Sequence, residues 1–463
     1  MILIQDNFNS TNYFPNRYIQ IIGKLKRDIE ADKKVIDDKL EINLNDYQTK
    51  SPNNTFFSFF KDDEKRNLKN EDDLIISIKK DGDGNYLAQT GNYVGKFVWT
   101  GLEIDIQSRF SNTFLERMLN FANDIFLDDV SITGQNVKED FDISKYIIYY
   151  MFVQNLEKAF LLGLPKAYRS IEHHEMKLKG KIDITRFIKH DIPFQGKISS
   201  VSREQKEIQE VIDVLYKAIK IIDKNNKAFS KNISHIKTHL KQHKSNQYVS
   251  NHSINKALTC KALQNPIFAP YKKVLEYARY IINGNSIEDK NDGKAETYGF
   301  IINVAELFEI YVTKLLQKEF TDWHIDSPKI PLYETMFYSR KIIPDIVMTR
   351  GNDAMVFDTK YKRMIMRGKN QNGAGDVDRN DFFQINTYMS YYKSKGLHVK
   401  VGGLLYPMES FEKSLCHDDN WFGNSDTKFI VDGIDLSKKE DLTMNDIVES
   451  EKDFIERLRE LMK

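Results

Sequence analysis

The chain has 463 residues, of which 41% are hydrophobic and 29% are charged, so we expect two or three domains with substantial cores. Its net charge of +1 excludes a polycation, and any surface for nucleic acid must therefore be a local patch. Two cysteines are too few for a disulfide scaffold, a four-thiolate zinc site or a four-cysteine iron–sulfur cluster. We find no signal-peptide pattern and no apolar run that approaches a membrane span, so we expect a cytoplasmic protein without a membrane partner.

Residues 1–165 are predicted to form an N-terminal mixed α/β region. Apolar and polar residues alternate over 72–110 around Gly, Asn and Asp turns, which is typical of a β-hairpin or meander. Helical periodicity follows over 112–127 and again over 145–164. A small sheet followed by two helices is therefore expected in this region.

Residues 166–290 are predicted to form a largely helical middle region. A short pair of strands is indicated over 178–198, and one long amphipathic helix is predicted over 202–223, with Ser202 as its cap. The segment 224–275 then contains ten lysines and no Asp or Glu. This basic segment suits a surface that faces DNA phosphates, a solvated helix face, or a surface for an acidic partner.

Three histidines of the basic segment share one helical face, because His235, His239 and His243 follow one another at intervals of four residues. Such a face could bind a metal ion, but the neighbouring sequence offers no carboxylate or thiol that would complete the site. We therefore interpret these histidines as an exposed polar stripe.

Residues 291–463 are predicted to form a C-terminal domain of helices packed around a mixed sheet, which gives the whole chain a mixed α+β or α/β class. A helix is predicted over 300–320, two neighbouring strands over 342–364, a helix over 379–396, and a strand over 399–407.

Charged residues stand at the ends of the two neighbouring strands, where a buried strand does not ordinarily tolerate them. Asp358 and Lys360 project from the same side of the second strand, because side chains alternate between faces. The first strand can bring Asp345 alongside Asp358. Two carboxylates at such a short distance repel each other strongly unless a cation lies between them. Mg²⁺ is the expected cation, since it prefers oxygen ligands, and the carbonyl of Thr359 is a further candidate ligand. Lys360 would then lie near a metal-bound water or a phosphate, whose developing charge it can stabilise.

This arrangement resembles the signature of the PD-(D/E)xK nucleases. PD stands at 344–345, and DTK follows at 358–360 after twelve intervening residues. The alternative is a surface ion pair on an edge strand. The residues before Asp358 are apolar on both faces, which favours a central strand whose end opens into a site.

Two flanking helices carry further residues that this superfamily commonly uses. The helix before the strands contains Glu306 and Glu309, of which we favour Glu309 as the acidic residue of the site. The helix after them contains Gln384 and Tyr388 at positions i and i+4, hence on one face. In some branches of the superfamily this glutamine supports the active site.

Five stretches resemble the McrC family, the nuclease subunit of McrBC-type modification-dependent restriction systems: LFEIYV, IPDIV, VFDTKYK, DFFQINTYMSYY and GGLLYP. The strong resemblance covers residues 300–407, and weaker similarity extends towards the N-terminus. It implies a restriction-endonuclease-like C-terminal domain. It also implies catalytic or supporting roles for five residues, which are Asp345, Asp358, Lys360, Glu309 and Gln384.

The resemblance implies partners as well. Proteins of this family cleave DNA together with a separately encoded AAA+ GTPase, a McrB-like hexamer that recognises methylated DNA and translocates it. They dock on that ring through their N-terminal region, here residues 1–165, and stimulate GTP hydrolysis. This sequence has no Walker A pattern, so GTP is expected to be used by the partner, and Mg²⁺ is the cofactor expected for this chain.

Basic residues at the end of the second strand and in the loop after it are candidates for contacts with the DNA backbone: Lys362, Arg363, Arg367, Lys369 and Arg379. Two other functions stay open at this point. One is a PD-(D/E)xK nuclease that needs no motor, such as a RecB-like exonuclease or a resolvase. The other is a docking subunit whose nuclease fold is inactive.

Overall fold

The computed structural model of the chain describes residues 2–6, 39–50, 54–57, 74–80, 86–99, 102–122, 143–225, 227–283, 288–289, 296–297, 299–333, 341–362, 377–409, 417–437 and 442–462. The chain divides into two compact units. The first unit consists of Met1–Ile143 and Ile287–Lys463, and the second consists of Ser144–Ser286.

The helices of the described residues are α1 (Leu44–Lys50), α2 (Asn112–Ala122), α3 (Ile143–Phe160), α4 (Ile184–His190), α5 (Gln209–Asn225), α6 (Ser234–His243), α7 (Asn251–Leu258), α8 (Pro270–Asn283), α9 (Val304–Glu319), α10 (Arg379–Ser394) and α11 (Met444–Leu461). The strands are β1 (Ile2–Gln5), β2 (Lys39–Asn43), β3 (Asn54–Phe57), β4 (Leu74–Lys80), β5 (Tyr86–Thr90), β6 (Tyr93–Trp99), β7 (Leu102–Gln107), β8 (Lys166–Glu175), β9 (Lys181–Ile182), β10 (Ile198–Glu207), β11 (Glu288–Asp289), β12 (Glu296–Thr297), β13 (Gly299–Asn303), β14 (His324–Asp326), β15 (Ile330–Pro331), β16 (Lys341–Ile342), β17 (Ile346–Arg350), β18 (Asp353–Thr359), β19 (His398–Met408), β20 (His417–Trp421) and β21 (Asn424–Asp435). The mixed α/β class predicted from the sequence is confirmed. In the part of the chain that the structure describes, no helix is both long and apolar enough to cross a membrane.

The N-terminal strands of the first unit form two sheets, which have the orders β1-β7-β6-β13-β3 and β2-β4-β5. The hairpins predicted over 72–110 are confirmed, because β4 pairs antiparallel with β5 and β6 pairs antiparallel with β7. Apolar side chains of the two sheets, among them Ile42, Ile76, Phe97 and Ile104, pack into one buried cluster.

The division into two units differs from the three predicted domains, since residues from both ends of the chain share the first unit. The physical reason lies in β13, which pairs antiparallel with β6 and parallel with β3. A strand close to the start of the predicted C-terminal domain thereby completes the N-terminal sheet.

Two predicted helices begin later than expected. The helix predicted from Ser202 was wrong over its first turns, because residues 198–207 pair as β10 with β8, and α5 begins only at Gln209. In the helix predicted over 300–320, the first residues belong to β13 instead. The side chain of Asn303 then caps α9 by accepting hydrogen bonds from the backbone amides of Ala305 (2.9 Å) and Glu306 (3.3 Å).

The C-terminal part of the first unit contains a six-stranded mixed sheet with the order β14-β17-β18-β19-β21-β20. β17 and β18 are antiparallel, whereas β18, β19 and β21 run parallel to one another. α10 packs on β18 and β19, α11 packs on β21, and α9 contacts β14 and β18. Side chains of one sheet face, such as Val356 and Leu404, join Ile385 and Met389 of α10 in a buried core. The sheet therefore presents the end of its central strand β18 beside α10.

The second unit combines a three-stranded antiparallel sheet, β8-β10-β9, with helices α3 to α8. α5 packs against α6, α7 and α8 through buried apolar residues that include Leu215, Ile219, Ile236 and Val274. Most side chains of the β8–β10 sheet and of the segment between its strands are exposed instead. Large apolar residues are among them: Tyr168, Met176, Leu178, Ile182, Ile184, Ile188, Ile192 and Phe194.

Candidate active site

The pairing of β17 with β18 brings the two predicted acidic residues to the same end of the sheet. Ile346 pairs with Phe357, so the next positions along the two strands are Asp345 and Asp358. Both residues are buried, with 6% and 1% of their surface exposed. An isolated carboxylate is costly to bury, so this arrangement requires polar or charged partners.

Asp345 is fixed by the residue that follows Asp358. Its Oδ2 accepts hydrogen bonds from the backbone amide and from the hydroxyl Oγ1 of Thr359, both at 2.7 Å. Thr359 thus contributes donors to the site by its amide and its side chain. The metal-ligating role predicted for its carbonyl stays a prediction.

Lys360 lies at the centre of the arrangement. Its Nζ is 2.8 Å from Oδ2 of Asp358 and donates a hydrogen bond of 2.9 Å to Oε1 of Gln384. Oδ1 of Asp381, on α10, lies 3.5 Å from the same nitrogen. The backbone amide of Lys360 donates to the carbonyl of Leu405 on β19, so the strand pairing holds the residue in place.

Opposing effects set the pKa of Lys360. Burial acts to lower it, but the carboxylates of Asp358, Asp345 and Asp381 act to raise it and outweigh the burial. The pKa therefore lies above the ordinary lysine value, and the side chain carries a positive charge at neutral pH.

The donor set fits a hard divalent cation. Carboxylates outnumber ammonium groups at this end of the sheet, since Asp345, Asp358 and Asp381 face Lys360 and Lys362. The carboxylates of Asp345 and Asp358 offer oxygen atoms, the ligand type that Mg²⁺ prefers. The excess of negative charge at this end of the sheet also favours a cation. Both acids extend from ends of strands in a packed sheet, which restricts their positions.

The structure places the predicted supporting residues on the two helices that flank the strands. Gln384 of α10 bridges two site residues, because it accepts from Lys360 and its Nε2 donates to the hydroxyl of Tyr388 at 2.8 Å. Glu306 and Glu309 of α9 are both buried, so burial does not separate them. The catalytic role of Glu309 stays a prediction.

Two of the five residues predicted to contact DNA lie in the described part of the chain. Lys362 is bound by Asp381, whose carboxylate oxygens are 2.8 and 3.1 Å from its Nζ. Arg379 is exposed at the start of α10, and its guanidinium lies 5.3 Å from the ring centre of Phe383. Arg363, Arg367 and Lys369 lie outside the described residues.

Asp381 was not predicted from the sequence, although it contacts both lysines of the site. The sequence did contain a pattern that could have indicated Asp381, because this residue precedes Gln384 by three positions and therefore shares its helical face. Its buried carboxylate adds a third acid to the pair predicted from the strands.

The contacts of Arg109 with residues near the end of β18 were not predicted from the sequence either. The guanidinium of Arg109 lies 4.6 Å from the ring centre of Tyr361 and 5.0 Å from that of Phe110. Its backbone amide donates to the buried carboxylate of Asp6. Residues 109 and 361 are too far apart in sequence for any local pattern to connect them, so only the folded chain reveals this contact.

This chain is a component of a restriction system. In particular, the chain belongs to the family described as McrBC 5-methylcytosine restriction system component, which matches residues 88–407 and thus more than half of the sequence. The family resemblance inferred from the sequence is confirmed. No curated protein sequence matches this chain.

Among the solved structures that are similar to this chain are two McrBC assemblies. One is a half-complex from a tetradecameric assembly of Thermococcus gammatolerans McrB AAA+ hexamers with bound McrC, with 14% identity, a TM-score of 0.42 and 99% of each chain covered. The other is the Thermococcus gammatolerans McrBC complex, with 13% identity and a TM-score of 0.27, covering 69% of this chain and 87% of the other.

Proposed function

We propose that this chain is the nuclease subunit of a GTP-driven, modification-dependent restriction complex and cleaves DNA phosphodiester bonds with Mg²⁺. Membership of the McrBC family supports the restriction role. The observation that carries the nuclease activity is the meeting of Asp345, Asp358 and Lys360 at one end of a packed sheet, with Gln384 hydrogen-bonded to the lysine.

Asp345 and Asp358 are the residues that would hold Mg²⁺, which supplies an acidic water and charge stabilisation at the phosphate. Lys360 presents a charged ammonium beside them, where it stabilises negative charge that develops on a phosphate oxygen. Gln384 restrains that ammonium, and the hydroxyl of Tyr388 restrains Gln384 in turn. Thr359 orients Asp345 through two hydrogen bonds.

A cleavage assay tests this proposal. Methylated and unmodified plasmids are incubated with the chain, Mg²⁺ and GTP, with and without the AAA+ GTPase of the same system. We expect cleavage of the methylated plasmid only when all components are present, and loss of cleavage in Asp358→Asn. Asp322→Asn is the matched control, because this exposed carboxylate pairs with Arg350 away from the site.

The other outcomes of the assay identify the alternatives. Cleavage without the partner and GTP would establish a motor-independent nuclease. Cleavage by the reconstituted complex that survives Asp358→Asn would establish a docking subunit whose own nuclease fold is inactive.

The partner GTPase requires a docking surface, and the N-terminal region predicted from the family resemblance is one candidate. A second candidate is the apolar surface of residues 166–194, where eight large apolar side chains are exposed. Large exposed apolar patches mark interaction sites, which makes this exposed set of residues a candidate. On this proposal, these residues pack against the GTPase ring.

Substitution distinguishes the two docking surfaces. The double variant Ile184→Asp/Ile188→Asp introduces charge on the exposed face of α4, and we expect it to abolish both complex formation and stimulation of GTP hydrolysis. Tyr248→Ser is the control, since Tyr248 is also exposed in the same unit but lies outside residues 166–194. If the double variant still stimulates GTP hydrolysis as the unmodified chain does, the N-terminal region is the docking surface instead.

A further inference from the structure

Two histidines of α6 and a distant glutamate come together in the second unit. One ligand atom each of Glu207, His239 and His243 lies within 4.8 Å of the others. Glu207 is the last residue of β10, so a strand end supplies the carboxylate that the sequence around the histidines lacks. The third histidine of the stripe, His235, is not part of this group.

The distances within the group match those of a metal site. Nε2 of His239 lies 3.3 Å from Oε1 of Glu207. Two ligands of a tetrahedral zinc ion, each about 2.0–2.2 Å from the metal, are separated by roughly 3.3–3.6 Å. The glutamate and the first histidine therefore already have the separation of two ligands.

His243 is oriented as a ligand by a hydrogen bond. Its Nδ1 donates to the backbone carbonyl of His239 at 2.9 Å, which leaves Nε2 with its lone pair for a metal ion. Metal-ligating histidines usually donate their other ring nitrogen to a carbonyl or carboxylate in this way. The ring of Phe160 packs edge-on against His239, with 5.7 Å between centroids, and restricts its orientation.

The helix and the strand that carry these ligands are firmly anchored. Leu240 and Ile236 bury the face of α6 next to the histidines, with no exposed surface on either. Glu207 is held by the pairing of β10 with β8, in which it lies opposite Lys166. Two histidines at i and i+4 on an anchored helix are a spacing that metalloproteins use to hold zinc.

We propose that Glu207, His239 and His243 form a binding site for a divalent late transition-metal ion, with Zn²⁺ as the expected occupant. Imidazole nitrogens favour zinc, nickel or copper over magnesium, so this site and the acidic site of the first unit select different ions. Three protein ligands leave a coordination position for water. The bound ion joins α6 to the end of β10 and so stabilises the base of the β8–β10 sheet.

Titration of the metal-free, tag-free full chain with Zn²⁺ tests the proposal by calorimetry. We expect one saturable ion per chain, with affinity that falls at least about tenfold in His239→Ala, His243→Ala and Glu207→Gln. Mg²⁺ in excess is expected not to displace it. Co²⁺ serves as a second probe, because its visible absorption reports histidine coordination, and this signal is expected to disappear in the same variants.

His235→Ala is the matched control, since His235 is exposed on the same helix but outside the group. It is expected to bind Zn²⁺ as the unmodified chain does. Thermal unfolding provides an independent measurement: Zn²⁺ is expected to raise the Tm of the unmodified chain and of His235→Ala, but not of the ligand variants. The proposal is overturned if Zn²⁺ does not bind, or if it binds the His239→Ala/His243→Ala double variant with unchanged affinity.

Discussion

Two of the buried groups of charged residues in the described part of the first unit are built differently. In the first group, Arg117 forms two hydrogen bonds of 2.8 and 2.7 Å with Glu451, whose Oε1 also accepts from Tyr311 at 2.7 Å. One positive charge meets one negative charge, and both side chains are almost completely buried. In the second group, at the end of β18, carboxylates outnumber ammonium groups.

The difference indicates what each group does. A balanced and fully hydrogen-bonded pair is complete without any further component, so Arg117 and Glu451 join α2 to α11 as part of the structure. An unbalanced group gains stability from a cation, which is why Asp345 and Asp358 indicate a site. Burial alone would not have separated the two groups, whereas the count of charges does.

The largest effect is expected from breaking the balanced pair. Glu451→Gln leaves the guanidinium of Arg117 buried without its counter-charge, so we expect the free energy of unfolding to fall by about 3–5 kcal/mol. Urea denaturation measures this change, while the cleavage rate per folded molecule is expected to stay the same. Glu449→Gln, at an exposed position of the same helix, should change stability by no more than about 0.5 kcal/mol. A small loss in Glu451→Gln would contradict the structural role.

Removing one acid of the unbalanced group is expected to lower the cleavage rate and to leave the stability almost unchanged. Asp345→Asn should lower the cleavage rate about 10²–10³-fold, because the amide cannot supply the charge that the cation requires. The free energy of unfolding should change by no more than about 1 kcal/mol, since the amide oxygen can still accept from Thr359. Single-turnover cleavage and urea denaturation measure the two effects. If Asp345→Asn unfolds more easily but still cleaves DNA, then Asp345 has the structural role that is assigned here to Glu451.

A smaller effect is expected at the residue that orients the lysine. Gln384→Ala removes the neutral acceptor of Lys360 and leaves the two carboxylates beside it, so we expect the single-turnover cleavage rate to fall roughly 10–100-fold with DNA affinity unchanged. Tyr388→Phe removes only the partner of Gln384 and should lower the rate less. Ser390→Ala, exposed on the same helix, is the control. Equal rates in Gln384→Ala and the unmodified chain would mean that Lys360 needs no orienting group.

The smallest effect is expected at the edge of the site. Arg379→Ala should weaken DNA binding uniformly across sequences and lower the slope of log affinity against log salt by about 1, as expected for one lost phosphate contact. Fluorescence anisotropy without Mg²⁺ measures both. Arg350→Ala is the control, because Arg350 is exposed but paired with Asp322. An unchanged slope in Arg379→Ala would remove this residue from the DNA interface.

The sequence predicted those parts of the molecule whose signals are local. The alternation over β4–β7, the periodicity of α10 and the two strands with their charged ends are patterns within a few tens of residues. The start of α5 was misplaced because the residues after Ser202 suit a capped helix as well as a strand, and pairing with β8 decides between them. The meeting of Glu207 with His239 and the stacking of Arg109 on Tyr361 depend on tertiary structure, so no local pattern could show them.

The bond between Arg117 and Glu451 also bears on how the protein is made. The second unit, Ser144–Ser286, is one continuous stretch and can fold as soon as it leaves the ribosome, whereas the first unit needs residues from both sides of it. Arg117 can therefore form its ion pair only after Glu451 has been translated, 334 positions later. The acidic strand ends complete their surroundings only near the end of synthesis, so the candidate site is expected to assemble only when the chain is nearly finished.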